Sequence, residues 1–306
     1  MEGKMERNNI PTLNVNEISR FHKRSISWLP IVTHGKHENY HINRVEEVSD
    51  KSKFQVLPHR KTFHDFFYLR KGSSIRSKGL DTYEIKAPCI FILPAYQITE
   101  HKKLSEDVEG FYCHFDERIF TTLPNKYLSQ HFAFFQYQSN PVINLTEEDV
   151  KVMEPILERL LYLYKDITSN NESLVSTYLL TLFEELKTNL PSVSTSENKN
   201  SFYQITKKYK QALTEHVYDF KQIHDYAQLL NVTPNYLNKC VKMATNKTAQ
   251  DLLKEMLILE AKTLIKHSNL NVSEIAVKLC NQTPSNFARF FKNQTGLTPK
   301  QYAQKN

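Results

Sequence analysis

A pattern written twice near the end of the chain constrains its fold more than any other feature. Thr233-Pro234-Asn235-Tyr236-Leu237, running on to Lys242, returns as Thr283-Pro284-Ser285-Asn286-Phe287, running on to Lys292. The offset of 50 residues persists to Thr248 and Thr298, whereas Ala227 and Leu230 answer Ala276 and Leu279 at an offset of 49. The second copy therefore carries one extra residue, placed by this comparison in its turn. Internal repetition decides architecture before local propensity does. Two copies are too few for a solenoid, so the pattern is a duplicated supersecondary unit.

Each copy reads as two short helices. In the second, Asn271 caps a helix with Glu274 three residues on, the spacing of a capping box. Ile275, Ala276 and Leu279 then share one apolar face. After a tight turn, Thr283 caps the next helix and Pro284 takes its first position, where a missing N–H costs nothing. Phe287 and Phe291 point inward, while Ser285, Asn286, Arg289 and Lys292 share the other side. In the first copy Leu237 and Val241 point in, and Asn235, Asn238, Lys239 and Lys242 point out. One such helix reads equally well as a solvated surface helix, but two in register do not. A helix, a short turn and a second helix with a polar, cationic outer face describe a helix-turn-helix, whose second helix enters the DNA major groove. Asn and Arg pair with adenine and guanine edges, and Lys neutralises phosphate.

Charge is distributed in keeping with that reading. Of the net +7 carried by 306 residues, residues 201–306 hold +8, from 14 Lys and 1 Arg against 7 acids, and the remainder holds −1. The excess lies on the module that bears the repeat, the footprint of a polyanion-binding domain. An apolar content of 40% excludes a disordered chain. Cys89, Cys113, Cys240 and Cys280 have no metal or redox spacing and read as reduced thiols. Met1–Ile10 is charged and lacks the apolar core of a signal peptide. No apolar run approaches a membrane span. A cytoplasmic protein with no membrane association is expected.

In chain order, residues 1–24 read as a polar arm. Short strands follow: Phe66–Leu69 closed by Arg70-Lys71-Gly72-Ser73, Tyr83–Lys86, Cys89–Leu93 closed by Pro94, and Gly110–Phe115. Such strands with turn signals predict an all-β barrel or sandwich over residues 25–145. The period becomes helical at Thr146, with Asp149 completing a capping-box candidate. Met153, Ile156, Leu157, Leu160, Leu161 and Tyr164 form one stripe, in which Pro155 either kinks the helix or marks its start. Val175, Tyr178, Leu179, Leu182, Phe183 and Leu186 form another over 173–187. Residues 146–190 thus read as a helical segment whose stripes either pack on the barrel or form a dimer interface. Residues 191–201 are the clearest linker. Between the two repeat copies, 248–266 reads as one long helix joining them as a strut.

Phe290-Phe291-Lys292-Asn293-Gln294-Thr295-Gly296-Leu297-Thr298-Pro299, with the duplicated unit and its connecting helix, resembles the DNA-binding domain of AraC/XylS-type transcription regulators over residues 205–304. More loosely, Phe63–Tyr68 through Ser73, Ile92-Leu93-Pro94 and Asp107–Phe111 resemble that family's cupin-like sensing domain. The resemblance implies a multidomain α+β bacterial regulator. Its parts are a cupin-like β-barrel with trailing helices, a helical dimerisation segment, and an all-α domain over 202–306 with two helix-turn-helix units on successive turns of the major groove, about 34 Å apart. Two departures stand out: Cys280-Asn281 where the family has Gly-Phe, and Leu257 where it often has Arg. Asn tolerates the positive φ such a turn requires.

Asn235, Tyr236, Asn238, Lys239 and Lys242 in the first unit, and Gln282, Ser285, Asn286, Arg289 and Lys292 in the second, are therefore the expected contacts to double-stranded promoter DNA. RNA polymerase and a second copy of the chain are the implied protein partners, and activation is the implied outcome. His59, His64, Tyr68, Tyr83, Tyr112 and His114, aromatics with polar tips in the strand region, are candidates to line a pocket for a small-molecule effector, since a barrel of this size can hold one ligand. The alternatives are a cupin-type enzyme and a ligand-independent dimeric DNA-binding protein. A metal-bearing cupin needs a His-x-His on one strand and a further His after a Pro-x-Gly turn. Here His59 and His64 are five apart, Pro94-Ala95-Tyr96 lacks the glycine, and Thr99 stands where the third His belongs. No catalytic residue, metal or cofactor is expected.

Overall fold

A computed structural model describes residues 39–48, 56–124, 126–136, 139–166, 171–188 and 201–304. These residues fall into two compact units, 39–188 and 201–304. The predicted N-terminal arm lies outside the described residues, as does the predicted linker apart from Ser201, which opens a helix.

The strand-rich part of the first unit takes the form of two antiparallel sheets. Its strands are β1 (Tyr40–Arg44), β2 (Val56–Arg60), β3 (His64–Lys71), β4 (Ser73–Lys78), β5 (Asp81–Lys86), β6 (Cys89–Leu93), β7 (Ile98–Leu104), β8 (Glu109–Phe115) and β9 (Val142–Asn144). The order is β1-β8-β3-β6-β9 in one sheet and β2-β7-β4-β5 in the other. The unbroken apolar run of β6 follows from burial on both faces. Ile90 and Ile92 join Phe66, Tyr68, Phe111, Cys113 and Phe115 on the outer side. Cys89, Phe91 and Leu93 join Phe67, Leu69 and Ile85 between the sheets. Gly110 adopts φ +155, and a Cβ there would lie 2.0 Å from the Tyr68 carbonyl oxygen, so only glycine lets β8 approach β3 at that point.

Short helical turns interrupt the strands at α1 (Val45–Val48) and α2 (Tyr127–His131). Two longer helices, α3 (Glu147–Lys165) and α4 (Glu172–Thr188), cover the outer face of the five-stranded sheet. The capping box of Thr146 with Asp149 is formed. Pro155 neither starts nor ends α3. It sits on the exposed face, where the carbonyl it leaves without a donor can turn to water. Both predicted stripes pack on the sheet: Met153, Leu157, Leu160 and Leu161 from α3, with Val175, Leu179, Leu182 and Phe183 from α4. A dimer contact through these helices would therefore use other side chains, such as the exposed Val152 and Tyr162.

The second unit is all-α: α5 (Ser201–His216), α6 (Ile223–Leu229), α7 (Pro234–Thr245), α8 (Ala249–His267), α9 (Val272–Cys280), α10 (Pro284–Thr295) and α11 (Pro299–Gln304). The long α8 joins the two repeat copies, capped by Thr248 in a box with Asp251. Its Ile258, Ala261 and Leu264 bury against Ile275, Leu279, Phe287 and Phe291 of the second copy. Leu257 packs at the edge of that apolar cluster.

Candidate nucleic-acid interface

The two repeat copies fold alike because the same caps stand at the same places. Thr233 accepts a hydrogen bond from the Tyr236 N–H at 3.2 Å, and Thr283 accepts one from the Asn286 N–H at 3.4 Å. Pro234 and Pro284 open α7 and α10. In the turns, Asn231 (φ 54) and Asn281 (φ 48) occupy the left-handed region. These two asparagines are 50 apart, so the extra residue of the second copy precedes the turn and lengthens α9 by way of Cys280. Burial holds the Cys280 thiol up at about 11, which makes it a packing residue rather than a reactive one.

Buried Leu237, Cys240 and Val241 fix the inner face of α7, and buried Phe287 and Phe291 fix that of α10. Outward, Gln282, Ser285, Asn286, Arg289 and Lys292 are all exposed around α10, as are Asn235, Tyr236, Lys239 and Lys242 around α7. Arg289 donates to the Asn286 side-chain oxygen at 3.3 Å. Lys239 lies 5.7 Å from the ring of Phe202, whose ring centroid is 6.3 Å from that of Tyr236, so the start of α5 abuts this face.

Asn238 departs from the expected set. It is half-buried and accepts a hydrogen bond from the Ala249 N–H at 3.1 Å. A residue read as pointing to DNA instead satisfies a free donor at the start of α8. The carbonyl of Ala249 in turn accepts from the Tyr209 hydroxyl at 2.9 Å. Lys221 also acts internally. Its ammonium donates to the carbonyls of Val217, Tyr218 and Lys278, tying the end of α5 to α9, and burial lowers its pKa.

The six candidate pocket residues divide between two faces of the five-stranded sheet and its surroundings. His64 and Tyr68 lie on the outer side. His64 stacks on Phe115 and its Nε2 is 3.3 Å from Glu117, whose carboxyl it holds below the usual range. Tyr68 donates to Glu154 of α3 at 3.0 Å. His59, Tyr83, Tyr112 and His114 belong to the space between the sheets. His59 packs edge-on to His101, Tyr83 packs on Phe91, and His114 stacks on His41. The inner set contains residues that the sequence reading missed: Lys61, Asp65, Arg76 and His101. Lys61 pairs with Asp65 and donates to the Tyr112 hydroxyl at 3.2 Å. Burial, with Asp65 nearby, pushes the Tyr112 hydroxyl well up. Among the described residues no group of three His, Cys, Asp or Glu side chains is gathered as a metal site.

Residues 226–305 match the family described as a helix-turn-helix domain. The Msm operon regulatory protein of Streptococcus mutans is 23% identical over 136 residues, covering 44% of this chain and 49% of that protein. The uncharacterized HTH-type transcriptional regulator YobQ of Bacillus subtilis is 26% identical over 114 residues, covering 34% and 47% respectively. The chain thus spans about half the length of the curated relatives it matches. Among solved structures, ToxT from Vibrio cholerae aligns with 87% of this chain and 98% of its own, at 12% identity and a TM-score of 0.40. No helix among the described residues is long and apolar enough to cross a membrane.

Proposed function

We propose that the whole chain is a sequence-specific transcription regulator of the AraC/XylS type, a reading supported by the helix-turn-helix family match over residues 226–305 and by the regulatory proteins this chain is similar to. One observation carries this reading: two helices in register, α7 and α10, each capped by Thr-Pro, each presenting an exposed polar and cationic face. Arg289, Asn286 and Ser285, preceded by Gln282, read bases from the second unit. Asn235, Tyr236 and Lys239 do so from the first, and Lys242 and Lys292 meet phosphate. Asn238 is removed from the reading set by its bond to Ala249.

The β-sheet unit, in this reading, senses a small molecule and biases how the DNA-binding units are presented. That requires unequal affinity of the effector for two states of the protein. The chain works in the cytoplasm as a homodimer, with activation through RNA polymerase as its outcome. The functional domains follow residues 25–145, 146–190 and 202–306, joined through 191–201.

Selection of bound sites from random double-stranded DNA tests the reading. The expected result is a bipartite motif whose halves are about one helical turn apart. Absence of enrichment, or a single unsplit motif, would refute the two-reader arrangement.

A further inference from the structure

Besides α8, the segment that follows α5 also joins the two repeat copies. Toward the first copy it is held through Phe220. The Phe220 carbonyl accepts from the Tyr226 hydroxyl at 3.2 Å, and its ring packs edge-on to the Tyr226 ring at 5.4 Å. Tyr226 is a buried residue of α6. Toward the second copy the segment reaches through Tyr218 and Lys221. The Tyr218 ring packs against the apolar cluster of the second copy, and its hydroxyl donates to the fully buried Glu260 of α8 at 2.7 Å. The Lys278 ammonium of α9 lies 5.7 Å from the centre of that ring, within cation–π range. The Lys221 ammonium donates to the carbonyls of Val217 and Tyr218, at 3.1 and 2.8 Å, and to that of Lys278 at 3.3 Å. These carbonyls lie at or just beyond the C-terminal ends of α5 and α9, where partial negative charge gathers. One cation thus draws together two helix ends that would otherwise repel.

We propose that Tyr218 and Lys221 are positioning residues: they brace the helices α7 and α10 in one relative pose and thereby set the half-site spacing the chain accepts. A helix shared by two bodies sets their distance but yields to bending. A tie beside its axis resists that bending and the turning of one body against the other. Segment 217–221 meets α8 from the side, at Glu260, and meets α9 as well, so it is such a tie. The spacing consequence rests on the two-reader arrangement proposed above, whereas the brace is a property of the protein alone.

Two measurements on the full chain test it. The first is the distance distribution, by pulsed electron paramagnetic resonance without DNA, between nitroxide labels at the exposed Met243 of α7 and Gln294 of α10. The labels are carried on an unnatural amino acid, so the native thiols stay unlabelled. A narrow distribution is expected for the wild type, and a widened or displaced one for Lys221→Met and for Tyr218→Phe. A broad wild-type distribution, or an unaltered one in Lys221→Met, overturns the brace whatever the DNA result. The second is affinity for the DNA site selected by the wild type, with base pairs inserted between its half-sites. One inserted base pair is expected to cost the wild type about a hundredfold, the gain that tethering a second reader supplies, and to cost Lys221→Met about tenfold or less. Affinity for a single half-site is expected to be the same in both. An equal loss at every spacing marks Lys221 as merely structural and overturns its positioning role, as does a wild-type spacing profile in Lys221→Met. Should Lys221→Met fail to fold, Tyr218→Phe, which removes one hydroxyl, decides by the same two readouts. A wild type that binds paired half-sites no more tightly than one refutes the two-reader arrangement and with it the spacing role, and leaves the brace to stand or fall on the distance distributions.

Discussion

On the outward face of α10, the 3.3 Å hydrogen bond from Arg289 to Asn286 holds the guanidinium before any base is met. Arg289→Ala is therefore expected to cost about 1–3 kcal/mol on the preferred site and to relax the choice at one base step. Lys292→Ala, at the proposed phosphate contact, should weaken specific and random DNA alike and flatten the salt dependence by about one unit of slope. Equal losses on both DNAs for Arg289→Ala would remove it from the reading set. Asn238→Ala makes the contrast. Losing the cap on Ala249 should lower stability by about 1 kcal/mol in denaturant unfolding, with the selected motif unchanged. In the β-sheet unit, burial pushes the His41 imidazole down to about 4, partly opposed by its hydrogen bond with Asn43. The unfolded chain takes up this proton near pH 6.5 and the folded chain does not. Stability contributed this way is complete above 6.5 and is lost as pH falls toward 4, by on the order of 3 kcal/mol. Urea midpoints of the wild type should fall across that window, and His41→Gln should flatten the slope. Residue type and spacing made the outward set of α10 legible, because one helix face decides it. Asn238, Lys61 and Arg76 were not legible. Each is polar by type, and only the approach of α8 to Asn238, or of one sheet to the other around Lys61 and Arg76, turns the polar atom inward.

Among the elements, those whose ends are written chemically were readable at the outset. Thr146 with Asp149 and Asn271 with Glu274 form the boxes their spacing predicts. The strand segments were readable as strands of a barrel or sandwich, but their order and pairing were not, because pairing of β3 with β8 and of β4 with β7 depends on contacts distant in sequence. The same limit hid the fact that His64 and Tyr68 turn toward the outer side while Tyr112 and His114 turn inward. Position 155 is where local rules and the fold disagree most openly. Proline within a helix interior costs about 3 kcal/mol, and α3 runs through it because Met153, Leu157 and Leu160 bury on the other side. Pro155→Ala is accordingly expected to raise stability, by up to about 3 kcal/mol. A lower melting temperature would mean that the proline shapes α3 for a purpose of its own.

For the molecule as a whole, charge divides with function: residues 201–306 carry +8 and the rest −1. A fragment spanning 201–306 is expected to bind duplex DNA with a steep salt dependence, and a fragment spanning 1–200 to show none, in titrations across salt concentration. DNA binding retained by the first fragment but insensitive to salt would contradict the placement of the phosphate contacts. The α8 strut has a consequence for the operator. Ala249, its first residue, has its N–H held by Asn238 and its carbonyl held by Tyr209, while Ile258, Ala261 and Leu264 are sunk in the second copy. A beam built in at both ends has no joint to absorb a change of span. Inserting one base pair between the half-sites moves the second groove by about 3.4 Å and turns it by about a tenth of a turn. On the proposed two-reader arrangement, spacing is then expected to behave as a threshold rather than a slope, with both half-sites read or only one.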